Sequence, residues 1–176
     1  EEVEASLPSL RLRSGSFGIL RTGLKNNYRK GQRSMRIAYR ENEDEGFHNW
    51  RKAVQAHWRQ MLLLSTAWPD LFDARAKVAK ELSELLGEDH DLAVLVERAA
   101  EQARGKKKAG TRSLIARAKE RQREIRQHAH AKGEVLYAED ASDFAEHVES
   151  YWVAAEEEAR LGNGADAGAG EKKAKR

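Results

Sequence analysis

Between Phe47 and Arg59 the polar residues recur at the spacing of one helix face. At about 100° per residue His48, Lys52, Gln55 and Arg59 share a narrow arc with Arg51 on its edge, while Phe47, Trp50, Val54, Trp58 and Met61 line the opposite face. Such an array suits an anion. Arg offers a planar fork for two oxygens, Lys a mobile point charge, and His a donor that becomes cationic when an anion raises its pKa. A surface or capping role is the plainer reading of His48, and His57, on the apolar side, reads as a packed histidine.

Asp89-His90-Asp91 invites a second chemistry. A His-Asp dipeptide marks helical metal phosphohydrolases, and His48 or His57 could add ligands. Spacing does not force those groups together, and Gly87 followed by acids reads more simply as a helix end with Asp89 capping the next helix. No Ser nucleophile motif, HExxH or Gly-rich phosphate loop accompanies the dipeptide.

Two further arrays are basic. Arg21, Lys25, Arg29, Arg33, Arg36 and Arg40 form a row beside the apolar arc of Phe17, Leu20, Leu24, Tyr28 and Met35. Like charges at i,i+4 repel by roughly a few tenths of a kcal/mol per pair, and the row from Arg21 to Arg36 is about 22 Å long at 1.5 Å per residue. That length suits a polyanion better than one phosphate, the alternative being a solvated face. Arg112, Lys119, Arg123 and Arg126 share a side of a later segment with His130, while Leu114, Ala118, Ile125 and Ala129 supply its apolar stripe. Glu120 and Glu124 fall on another face, where they read as intrahelical partners of Arg117 and Arg121.

Composition says what can position these groups. The chain has 176 residues, 35% of them charged, two prolines, no cysteine and a mean hydropathy of −0.81. One highly charged domain is expected, with no disulfide, no thiol chemistry and no apolar run near the ~18 residues that span a bilayer. The sequence does not begin with Met, which is compatible with a processed or excised chain. The net charge of +3 hides segregation: Ala5 to Arg40 holds nine bases and no acid, Arg104 to Arg126 ten bases against two acids, and Gly133 to Ala159 nine acids and no Lys or Arg. Such blocks can pair within a fold or divide it into basic and acidic faces.

Apolar spacing is helical almost throughout, so an all-α antiparallel bundle of about six helices is expected, with a basic face or cleft. The expected helices are Ser16 to Arg40, Glu45 to Thr66, Leu71 to Leu86, His90 to Arg104, Arg112 to Lys132 and Asp143 to Arg160. Pro69 should stop the second helix, Asp70 cap the third, and Gly87 turn left-handed after Leu86, with Thr111 and Ser142 as further caps. Residues 1–14 read as a flexible segment and 161–176, rich in Gly, Ala and Lys, as a disordered tail.

Two motifs carry a resemblance. Phe47-His48-Asn49-Trp50-Arg51-Lys52 resembles the histidine motif of the CHAD family, the conserved-histidine α-helical domain, and Leu85 to Leu95, reading Leu-Leu-Gly-Glu-Asp-His-Asp-Leu-Ala-Val-Leu, resembles its helix-turn signature. Tyr28 to Arg33 is similar to the basic helix before the first motif, and Phe144 with Tyr151-Trp152 to the closing region. The likeness spans roughly 15–155 and makes 15–160 a CHAD-like domain. It implies an antiparallel helical bundle that binds inorganic polyphosphate without catalysis, through His48, Arg51, Lys52, Arg29 and Arg33, with Asp91 as an orienting acid. Gln55 stands where the family commonly has another Lys. The usual domain is nearly twice as long, in two related halves, so the chain resembles the second half plus the preceding helix.

The expected function is therefore a non-catalytic polyphosphate-binding module without cofactor or metal. Its contacts would be His48, Arg51, Lys52, Arg59, Arg21, Lys25, Arg29, Arg33, Arg36, Lys119 and Arg123. The alternatives are an RNA- or DNA-binding domain using the same stripes and a metal-dependent phosphohydrolase around His48, His90 and Asp91. Phosphate contacts carry no sequence information, and the Trp residues of the second helix sit mainly on its core side, which favours a polymer without bases. No membrane partner is expected. A homodimer is, if Phe17, Leu20 and Leu24 are left open by a missing half. The expected compartment is the cytoplasm, with association with polyphosphate granules as the finer expectation.

Overall fold

The computed structural model describes residues 17–65, 68–103 and 109–173, without side chains for 19, 109 and 162–173. They form five helices, α1 Phe17–Glu41, α2 Asp44–Leu64, α3 Pro69–Gln102, α4 Ala109–Leu136 and α5 Ala141–Lys173, and no strand among the described residues. α1 packs on α2, α2 on α3, α3 on α4, and α5 returns to α1.

The expected third and fourth helices are one. α3 runs straight through Gly87, where helix costs roughly 1 kcal/mol relative to Ala. Tertiary contacts hold it there. Asp89, read as a cap, is 1% exposed and takes Nε and Nη2 of Arg126 in α4 at 2.7 and 3.2 Å. Pro69 opens α3 at a position whose N–H has no helical partner in any case, with Asp70 in the first turn rather than capping. Thr111 lies inside α4, and the cap before α5 is Asp140, whose carboxylate accepts the Ser142 N–H at 2.6 Å. Asn42, with φ of 53°, makes the left-handed turn between α1 and α2. The expected N-terminal segment lies outside the described residues, as do the side chains of the expected tail after Leu161, where the α5 backbone continues as helix to Lys173.

The centre of the core is aromatic. Tyr28 is fully buried, stacks on Phe144 at 4.3 Å, and donates to the Leu136 carbonyl while accepting the Glu139 N–H. Gly31 and Gly133 allow this density, because a Cβ at Gly31 would fall 2.3 Å from the Tyr137 hydroxyl and one at Gly133 2.7 Å from the Trp50 ring. Arg75 of α3 sits over the Phe144 ring at 4.6 Å and bonds Glu139 at 2.9 Å. Phe17 and Leu24 are buried within the chain, Phe17 against Trp152 of α5. The open apolar flank expected to drive dimerisation is therefore covered, because α5 folds back across α1.

Candidate functional site

The outer face of α2 carries His48, Lys52, Gln55 and Arg59 as its periodicity predicts, with the apolar residues turned inward. His48 is half-buried and its ring stacks on that of His90 in α3, centroids 4.5 Å apart and planes 26° from parallel. Partial desolvation, then Lys52 and His90, hold the His48 imidazole below its ordinary pKa, and Glu45 opposes them. Its Nδ1 and the Nε of Arg51 are buried without a hydrogen-bond partner, and the Arg51 guanidinium lies against Gly87, 3.5–3.9 Å from where a Cβ would stand. Lys52 donates to the Asn49 side-chain oxygen at 3.5 Å. Among the described residues no carboxylate pairs with Arg51, Lys52 or Arg59.

A cavity of about 620 Å³ opens between α2 and α3. Arg51 and Lys80 contribute its cations, Glu84, Glu88 and Asp91 its carboxylates, and Trp58 and Gln55 complete the α2 wall. Lys80 pairs with Glu84 and Glu88 with Arg121 of α4, so Arg51 and Asp91 are the charges of that lining without an ion pair among the described residues. His48, Lys52 and Arg59 do not line it. Asp91, the expected orienting acid, is an exposed part of that wall, while the acid locked in place is Asp89.

The α1 row stands elsewhere. Asn27 of α1 bonds Gln60 of α2, and Ala38 touches Gly46, so these two mark the side of α1 that faces α2. Lys25, Arg29, Arg33 and Arg36 lie about 120–180° around the helix from them at 100° per residue. The row thus turns away from α2 and does not join the His48 array in one cleft. Arg33, Arg36, Ile37 and Arg40 line a groove of about 430 Å³ with no carboxylate in its wall, and Arg36 also lines a second hollow with Gly133 and Glu134 of α4 and Tyr137 just after it. Arg21 is drawn off, bonding Glu146 at 2.6 Å and Glu149 at 3.1 Å on α5, a pairing of the basic and acidic blocks. Arg40 meets Glu41, while Lys25, Arg29, Lys30, Arg33 and Arg36 have no carboxylate partner among the described residues.

The α4 array divides. Arg123 pairs with Glu120, which the sequence reading placed on another face, and Lys119 stays exposed. Arg126 is structural: besides Asp89 it takes Asp44 at 2.5 Å, and its guanidinium covers the Phe47 ring at 3.9 Å. Desolvation lowers its pKa, and the bonds to Asp89 and Asp44 outweigh that and raise it. His57 is a packed histidine as expected, fully buried, both nitrogens unpartnered, and burial with nearby Arg75 pushes its pKa down to about 3.

The sequence reading named His90 as a possible metal ligand and Arg126 as one of a basic array, and missed the stacking of the first on His48 and the pairing of the second inside the bundle. Among the described residues no group of three or more His, Cys, Asp or Glu side chains could hold a metal ion, and no helix is long and apolar enough to cross a membrane. A family model described as the CHAD domain matches residues 2–100, more than half of the chain and the part that contains α1, α2 and both sequence motifs. No curated protein and no solved structure matches.

Proposed function

The chain belongs to the CHAD domain family, and on that footing we propose that it is a non-catalytic module that binds inorganic polyphosphate through the outer faces of α1 and α2. The observation that carries the reading is the distribution of unpaired cations. Among the described residues Arg51, Lys52 and Arg59 on α2, and five of the seven bases on α1, lack a carboxylate partner, whereas Arg75 and Arg126 inside the bundle are neutralised. Rows of like charge at helical spacing repel one another until an anion neutralises them. A phosphate chain presents oxygens along its whole length, so several Arg forks and Lys ammonium groups engage it at once. His48 adds a directional donor, and an anion beside it would favour the imidazolium that Lys52 and His90 disfavour. No step of bond breaking is part of this function, and cytoplasmic polyphosphate, including granules, is the proposed place of action.

A nucleic-acid reading has one observation in its favour: Trp58 lines the α2–α3 cavity, where a base could stack. The mixed charge of that cavity weighs against a nucleic-acid backbone entering it. Competition of long polyphosphate against single-stranded RNA, followed by a phosphate-release assay with divalent metal, separates the readings. Polyphosphate should win, its binding weakening as salt rises because counterions are released, with no phosphate freed. Preferential RNA binding, affinity unmoved by salt, or metal-dependent phosphate release would each overturn the proposal.

A further inference from the structure

Resting on the polyphosphate reading, we infer that the α1 row and the α2 array are two separate sites, so that one molecule holds two segments of phosphate chain and can bridge two polymers.

The directions of the side chains carry this. On α1, Lys25, Arg29, Arg33 and Arg36 point away from the side marked by Asn27 and Ala38, where α2 packs. The α2 array leans the other way, toward α3, where His48 stacks on His90 and Arg51 rests on Gly87. The groove at Arg33, Arg36 and Arg40 is walled by α1 alone, and no residue of the α2 array lines it. At the seam between them Asn27 bonds Gln60 and Ala38 touches Gly46, and Glu45, which accepts from Asn49, is the acid of α2 closest in register to it. Lys30 is the cation of α1 closest in register to that seam. Each row has its own unrelieved repulsion, so each gains from an anion whether or not the other is filled.

The two rows can act at once on different strands. A molecule gripping one chain on α1 and another on α2 joins polymers, and a second contact between the same two chains gains from effective concentration. Inorganic polyphosphate would then be gathered as well as bound.

Titration calorimetry of the whole chain with a short, defined-length polyphosphate tests the inference. Two chains per protein are expected. Arg29→Gln with Arg33→Gln and Arg36→Gln should leave one, His48→Gln with Lys52→Gln and Arg59→Gln should leave the other, and the combined variant neither, with circular dichroism melts reporting the fold. The unaltered protein gives a second readout that needs no variant: light scattering should rise when long polyphosphate is added and fall again at excess polymer, as bridges give way to singly occupied molecules. One short chain per protein, weakened by either triple or by Lys30→Gln, means a single track over the seam and overturns the inference, as does long-polymer binding without a rise in scattering. Absence of all binding overturns the polyphosphate reading itself.

Discussion

Arg126 and Arg33 stand on the same bundle and are held in opposite ways. Arg126 is inserted between helices and meets Asp89, Asp44 and the Phe47 ring, whereas Arg33 is exposed and has no carboxylate partner among the described residues. A buried charge must be matched within the fold, because the interior offers no water to solvate it, while an exposed row can wait for a ligand. The contrast separates cations that hold the bundle from cations that serve binding.

The sharpest way to break this division is at Asp89. Asp89→Ala leaves the Arg126 charge largely buried with only Asp44 as an acid partner, and should destabilise the fold by about 3–5 kcal/mol in urea unfolding. Lys52→Ala, on the exposed side, should move the same midpoint very little. Equal losses from the two would erase the distinction.

Binding should show the reverse pattern. The pair Arg51→Ala with Lys52→Ala, and His48→Ala alone, should weaken polyphosphate binding by up to about 1.5–3 kcal/mol for each desolvated contact, with helicity nearly intact. Trp58→Ala abolishing binding in a folded protein, with these substitutions silent, would put the site in the cavity instead.

The interior also sets an acid limit. His57 has its pKa pushed down to about 3 by burial, from the ordinary 6.5. Between those values the unfolded chain binds a proton that the folded chain refuses, so stability rises with pH across the window and falls as pH drops below about 6.5, at most by about 1.4 kcal/mol per unit. His57→Phe removes two unpartnered nitrogens and should flatten that part of a denaturation-against-pH profile.

The smallest effect belongs to the surface histidine. Since His48 is held below its ordinary pKa, a bound anion should bring proton uptake, and binding should tighten modestly as pH falls through that range. His48→Gln should lose that component and keep the rest, measured as affinity against pH in a constant-ionic-strength buffer.

Local patterning determined a good deal by itself. The helices of residues 17–64, the inward face of Phe47, Trp50, Val54 and Met61, the outward donors of α2 and the packed state of His57 all follow from 3.6-residue spacing, because a helix fixes which side chains share a face. Asn42 could take its left-handed turn because its short polar side chain tolerates that backbone.

Only the tertiary structure decided how the faces meet. Gly87 and Asp89 read locally as a helix end, yet Arg126 of α4 lies 37 residues away in sequence and holds Asp89 inside a continuous helix. Nothing in the sequence told Arg21, which α5 neutralises, from Arg29, which it does not. Spacing places a residue on its own helix, but which face of a neighbouring helix it meets depends on how whole apolar surfaces pack. That packing set the α1 row on the side away from α2, buried Phe17 against Trp152 of α5, and stacked His48 on His90.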